Sequence, residues 1–360
     1  MERLNKTLSK LMVLIILLSL AACTQQKRAF DKELFDLLGV DSVSIQHLLA
    51  ARASDIAMDK ISFEKNDPNV LAMTNGGYAI VGKKTTEKSI DGVMARTGCT
   101  IGKANLLIIH RAKWKSLWFV FFNKKTGMGV YLEVNRSVLD QNIDEFQNLP
   151  DETLFTTIET ADFKGENLPE FNGNKGVIAI ARLWATGVPY DFLQAIQFHN
   201  HFCPGITSGY LIIKYLDKYL PIQEPGETYS IIACPPWCKD DAFQVIFDTT
   251  TGKKGLSAVH MTRGQIQQLP GGIAGIFIRW NSKAKKGHGL VLTFNWSKKL
   301  KIPAGTPKSE RAMIMMKYVD NPEVFISTLK EFEVSSEEEL NKLKIAGVNP
   351  YEELGLLRKK

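Results

Sequence analysis

Asp241-Ala242-Phe243-Gln244-Val245-Ile246-Phe247-Asp248-Thr249-Thr250-Thr251-Gly252-Lys253-Lys254-Gly255-Leu256 restates in outline a stretch met 150 residues earlier, Asp91-Gly92-Val93-Met94-Ala95-Arg96-Thr97-Gly98-Cys99-Thr100-Ile101-Gly102-Lys103-Ala104-Asn105-Leu106. Aspartate, threonine, glycine, lysine and leucine recur at one fixed offset, and a small residue follows each leading aspartate. A hairpin further on recurs too. Asn123…Gly127-x-Gly129-x-x-Leu132 matches Asn281…Gly287-x-Gly289-x-x-Leu292, with two residues added in the later turn. A period this long does not make a solenoid. It predicts two similar domains, arranged as a pseudo-symmetric pair in the manner of a homodimer.

Each copy reads as helices followed by strands. The first repeat spans 31–164, with helices over 31–38 and 41–61, a hairpin over 70–81 turning at Asn75-Gly76-Gly77, and strands through 106–134. The second spans 177–300, and its helix after Pro204 begins as proline at a first helical turn prescribes. From 301 to 360 the pattern is helical and charged, which predicts an outer tail without chemistry.

With 360 residues, 44% hydrophobic and 23% charged, the chain has the makeup of a globular protein of about two domains. The net charge of +7 arises in part from Arg3, Lys6 and Lys10. The other lysines are scattered, no nucleic-acid motif accompanies them, and no nucleic-acid partner is expected. Residues 1–23 read as an export signal: a basic start, the apolar run Leu11–Leu18, then Leu20-Ala21-Ala22-Cys23. A cysteine after Leu-Ala-Ala resembles the bacterial lipoprotein signal. That resemblance implies cleavage before Cys23, lipidation of its thiol, and a soluble body tethered to the extracytoplasmic side of a membrane.

The second copy carries Phe198-His199-Asn200-His201-Phe202-Cys203-Pro204-Gly205. Two of the chain's six histidines and a cysteine fall within five residues. Imidazole and thiolate suit zinc or a neighbouring divalent transition metal. On an extended segment the spacing 199, 201, 203 would turn all three side chains to one side. At the 150-residue offset these positions face Leu49, Ala51 and Ala53, so the first copy lacks the cluster. Export leaves Cys99, Cys203, Cys234 and Cys238 in a compartment that can oxidise thiols, so a Cys234–Cys238 disulfide competes with free thiols.

His199-x-His201-x-Cys203-Pro204-Gly205 followed by Cys238-x-x-Asp241-Ala242-x-Gln244 resembles the formylmethanofuran dehydrogenase E-subunit family. The family's Gly-Cys-Thr-x-Gly-Lys-x-Asn-Leu continuation stands in the other copy, at Gly98–Leu106. The resemblance implies an α+β fold with a mixed, largely antiparallel sheet beside helices in each domain, a usual dimer, and a metal that is commonly zinc. It implies His199, His201, Cys203 and Cys238 as ligands, with Asp241 as a further ligand or as the group orienting one. Gln244 is either a ligand-binding residue or an exposed helix glutamine. Lys103 and Lys253 either steady an anion or keep a turn soluble, and Cys99 either approaches the cluster from the other copy or is a buried thiol. Two functions fit: a tethered protein that captures or carries a metal or a small metal-containing ligand, and a metalloenzyme with a metal-activated water, Asp241 as base and Lys253 as clamp. A metal that merely staples the fold is a third, and further homo-oligomerisation is open.

Overall fold

The computed structural model describes residues 44–357 except 142, 166–167, 297–301 and 304. The signal segment, Cys23 and the helix expected over 31–38 lie outside the described residues. Among those described, no helix is long and apolar enough to cross a membrane.

The first unit runs α1 (Ile45–Ile61), β1 (Val70–Thr74), α2 (Lys88–Thr97), β2 (Leu106–Ile108), β3 (Trp118–Asn123), β4 (Met128–Val134), α3 (Ile143–Gln147), α4 (Asp151–Leu154) and β5 (Phe155–Asp162). Two linking helices follow, α5 (Gly176–Trp184) and α6 (Tyr190–His199). The second unit runs α7 (Pro204–Tyr219), β6 (Glu227–Ala233), α8 (Lys239–Ile246), β7 (Leu256–Ala258), α9 (Arg263–Gln268), β8 (Ile273–Asn281), β9 (Lys286–Phe294), α10 (Lys308–Met316) and β10 (Ile326–Val334). Short helices α11 (Glu337–Lys342) and α12 (Pro350–Glu353) close the described chain.

Both sheets have one plan. Their strand orders are β2-β1-β3-β4-β5 and β7-β6-β8-β9-β10. In each, the first and second strands of the unit pair in parallel and every other pairing is antiparallel. The fold is α+β with two related units, as the repeat predicts. The repeat also survives in a packing detail. A Cβ at Gly129 would lie 2.3 Å from the Phe163 ring, and one at Gly289 would lie 2.3 Å from the Phe332 ring. Each glycine makes room for an aromatic ring laid across its sheet.

Strand alternation divides the core. Val70 and Ala72 of β1, with Phe119 and Phe121 of β3, face α1 and α2. Leu71, Met73, Val120 and Phe122 point the other way, into a cluster that holds α5, α6 and α7 and continues to Ile231, Phe277 and Leu292 of the second sheet. The two units therefore share one continuous core. Polar contacts reinforce it: His110 N–H donates to Gln197 O (2.9 Å), and the Trp184 indole donates to Ala104 O (2.7 Å).

Three expectations are corrected. Residues 70–81 do not form a hairpin: β1 pairs with β2 and β3, and the chain after Thr74 is loop. Thr74 Oγ1 accepts from Gly76 N–H, and Asn75 is tied to Ser116 and Trp118, which diverts the chain out of the sheet. The region 301–360 is not a helical tail. It supplies β10 to the second sheet, and Tyr351 is fully buried with its hydroxyl on Cys234 O. The charges that suggest an exterior helix, Lys330, Glu331 and Glu333, lie on β10, where exposed positions alternate with partly covered ones.

The third correction concerns register. Ala72 pairs Leu106 in the first sheet as Ile231 pairs Leu256 in the second, so the offset is 159 residues before the first loop and 150 after it. Ser44 and Cys203, the N-caps of α1 and α7, correspond at the larger offset. His199, His201 and Cys203 thus match Val40, Ser42 and Ser44, not Leu49, Ala51 and Ala53; the first two of these lie outside the described residues.

Gly129→Ala and Gly289→Ala should each lower unfolding free energy by about 1–3 kcal/mol, as inserted core methyls do. Urea denaturation of the two variants checks this, and a neutral effect at either position contradicts the ring-over-glycine packing.

Candidate metal centre

Helix α6 ends because Asn200 takes the left-handed conformation (φ 62) and returns its N–H to Ile196 O at 2.8 Å. Asparagine is among the few residues that do so at low cost. Four residues later Pro204 starts α7, with Cys203 as N-cap. His199 to Cys203 is therefore a tight helix-to-helix turn and not the extended segment expected. The turn still gathers the side chains. One donor atom from each of His199, His201 and Cys203 lies within 4.8 Å of the others.

Asp241, in the first turn of α8, accepts a hydrogen bond from His199 Nδ1 at 2.6 Å. This leaves Nε2 turned to Cys203 Sγ, 3.7 Å away. A tetrahedral zinc with its nitrogen at about 2.0–2.1 Å and its sulfur at about 2.3 Å spaces those two atoms by about 3.6 Å. The donor set fits such an ion in chemistry and in spacing. Asp241 holds a ligand's tautomer and is not itself in the trio. Gln244 Nε2 donates to Asp241 Oδ1 at 3.3 Å, so the glutamine steadies the aspartate.

Cys238 borders the trio from the N-cap of α8. Its Sγ would lie 3.0 Å from a Cβ at Gly205, and Cys203 Sγ 3.5 Å from the same point. Glycine at 205 is what allows the two thiols to approach. The proton between them is unequally shared. Cys203 is pulled down to about 6, chiefly by the Cys238 thiol donating to it; burial opposes, and the backbone N–H groups of Ile206 and Gly205 assist. Cys238 is pushed up to about 12, first by its bond to Cys203, with His199 opposing. Burial depresses His199, yet its bonds to Asp241 and Cys238 outweigh that and raise it to about 9. His201 is lowered by burial, then by the charge of His199.

The loop before Cys238 is held by a buried ion pair that sequence reasoning missed. Lys239 is fully buried; its Nζ bonds Asp240 Oδ1 (2.7 Å) and Pro235 O (3.1 Å) and sits 3.8 Å from the Trp237 ring centroid. Asp240 Oδ2 accepts the Trp237 N–H at 2.8 Å. No apolar periodicity announces a buried lysine, so the only signal was the Lys-Asp pair directly after Cys-Pro-Pro-Trp-Cys.

The other expected residues lie elsewhere. Cys99 is in the first unit's core, its thiol 3.6 Å from Val70 O, and does not approach the cluster. Lys103 bonds Gly98 O and Asn66 within its own turn. Lys253 pairs with Asp248 on an exposed turn. Cys234 and Cys238 are not bridged; the four described cysteines are free thiols. Cys234 is buried, which pushes it up to about 12.

The family model described as "FmdE, Molybdenum formylmethanofuran dehydrogenase operon" matches residues 44–164 and 198–336. No curated protein matches the chain.

Asp241→Asn keeps the shape of the contact to His199 but removes its charge. Zinc affinity should fall about 10–100-fold, the usual effect of losing such a partner. Competition against a chromophoric chelator checks it, and unchanged affinity would show that Asp241 does not orient the ligand.

Proposed function

The chain belongs to the FmdE family, and from that premise we propose that it is a metal-binding protein that captures and holds a divalent transition metal, zinc above all, at His199, His201, Cys203 and Cys238. The observation that carries this reading is the tie from Asp241 to His199 Nδ1, which presents Nε2 to Cys203 Sγ at the separation one ion would impose. Two imidazoles and two thiolates are a borderline-soft set, preferred by zinc over magnesium or calcium.

The alternative, a metal-activated water on a small substrate, gave Asp241 the part of base and Lys253 that of clamp. Both side chains have other partners: Asp241 is engaged by His199 and Gln244, and Lys253 by Asp248. Binding is therefore the reading favoured. His201 and Cys238 are only half-buried, which suits exchange of an ion, or capture of a small molecule carrying one, better than a sealed structural staple. We place the protein outside the cytoplasm, tethered through lipid on Cys23, because its leader has the form of a lipoprotein signal.

Metal uptake must displace the protons on the donors. His199, raised to about 9, and Cys238, raised to about 12, are protonated near neutral pH, whereas Cys203, lowered to about 6, is already thiolate. Affinity should therefore rise with pH through neutrality, most steeply up to about 9 and by one proton fewer beyond it. Elemental analysis of the purified protein should give one zinc per chain, lost in His201→Ala and Cys203→Ser. Calorimetry in buffers of differing ionisation heat should count about two protons released per ion. Metal content that survives both substitutions would overturn the assignment.

Cys23→Ser should move the protein from the membrane fraction to the soluble fraction in a lipoprotein-processing bacterial host. Retention in the membrane would remove the lipid tether from the proposal.

A further inference from the structure

The first unit brings a cation to the edge of this centre. The segment after β2 is pinned along the end of α6: Ile108 N–H donates to Gln197 Oε1 at 2.7 Å, His110 N–H donates to Gln197 O at 2.9 Å, and the His110 ring stacks on Phe198 (5.6 Å between centroids, 7° between planes). Arg111 follows at once. Its Nη2 donates to Asn174 Oδ1 at 2.9 Å; Asn174 in turn donates to the Tyr131 hydroxyl (3.0 Å), which donates to Glu133 (2.8 Å). Two residues after Asn174 comes Gly176, where a Cβ would lie 3.3 Å from the Cβ of His201. The guanidinium is thus held by a polar chain whose Asn174 stands two residues before Gly176, the glycine that packs on His201.

Its charge is unspent. Among the described residues no carboxylate pairs with Arg111, and its buried Nε has no hydrogen-bond partner. Glu133 is occupied by Tyr131 and Asn172. A half-buried cation without a counter-ion is costly, and two thiolates already neutralise a dication. A guanidinium presents neighbouring N–H donors in a plane, the complement of a carboxylate.

We propose that Arg111 is the anion-recognising residue of the centre, seating the carboxylate of a small molecule bound beside the ion. This rests on the metal reading above. The centre is then built from both copies: donors from the second, a charge for the ligand from the first. What the protein captures is a carboxylate-bearing metal ligand or its complex, and not the bare ion alone.

Cobalt(II) in place of zinc provides the test, with acetate as probe and inorganic phosphate as the competing oxyanion. Acetate should shift the visible cobalt bands of the wild-type protein in a saturable way, and phosphate should do so more weakly. Arg111→Gln should weaken acetate at least about tenfold, the scale of one charge-assisted contact, while cobalt affinity and the acetate-free spectrum stay as they were. Arg111→Lys, which keeps the charge but loses the fork, should fall between the two. Equal acetate response in wild type and Arg111→Gln, no response in either, or a preference for phosphate would overturn the proposal while leaving the metal site standing. Failure of cobalt to bind at all would instead overturn the metal reading and this inference with it.

Discussion

A carboxylate at the start of α8 holds the imidazole at the end of α6, 42 residues away in sequence, and the site depends on that one bond. It selects the nitrogen His199 can offer and aims it at Cys203. For Asp241 to reach, α8 must lie close against α6 and α7, and two glycines permit this. At Gly209 a Cβ would lie 2.4 Å from Lys239 O; at Gly205 it would lie 2.7 Å from the Cys238 Cβ. Any side chain at either position would push α8 away and take Asp241 and Cys238 out of range together. Helix packing and donor geometry are one constraint.

The first unit shows the same packing without the chemistry. There the close approach is made by Gly92 on α2 against Ala50 on α1, whereas in the second unit it is Gly209 on α7 against Ala242 on α8. The small pair has changed sides while the approach persisted. Asp91 stands where Asp241 does, but Ser44 replaces Cys203 and Lys88 replaces Cys238. The stretch from β1 to β2 is nine residues longer than its counterpart, and the excess lies in the loop before α2, opposite the compact Cys-Pro-Pro-Trp-Cys turn. One copy carries the donors, and the other lays Tyr78 and His110 toward Phe198, the residue before His199, with Arg111 next along the chain.

Much of this was legible in the sequence, for physical reasons that differ by element. The duplication showed because turns such as Thr100–Lys103 and glycines such as Gly129 are fixed by backbone and packing demands, whatever the chemistry. The start of α7 showed because proline has few places to go. What stayed hidden depends on tertiary context. Spacing of two suggested a strand at 199–203, whereas a left-handed Asn200 brings the same side chains together between helices. β10 was hidden by its charges, since Lys330, Glu331 and Glu333 interrupt the apolar alternation expected of a strand. The nine-residue change of register cannot be seen where the only fixed identities lie after it. Arg111 carried no signal, because nothing in the sequence ties the segment after β2 of the first copy to the end of α6.

Tyr351 reaches from the last helix to the carbonyl of Cys234, at the head of the loop that ends in Cys238. The loop is therefore fastened by a residue 117 positions further along the chain. A chain still short of that residue already contains all four candidate donors, yet lacks the contact that braces the loop. The order of synthesis thus separates the making of the donors from the bracing of the loop that carries one of them.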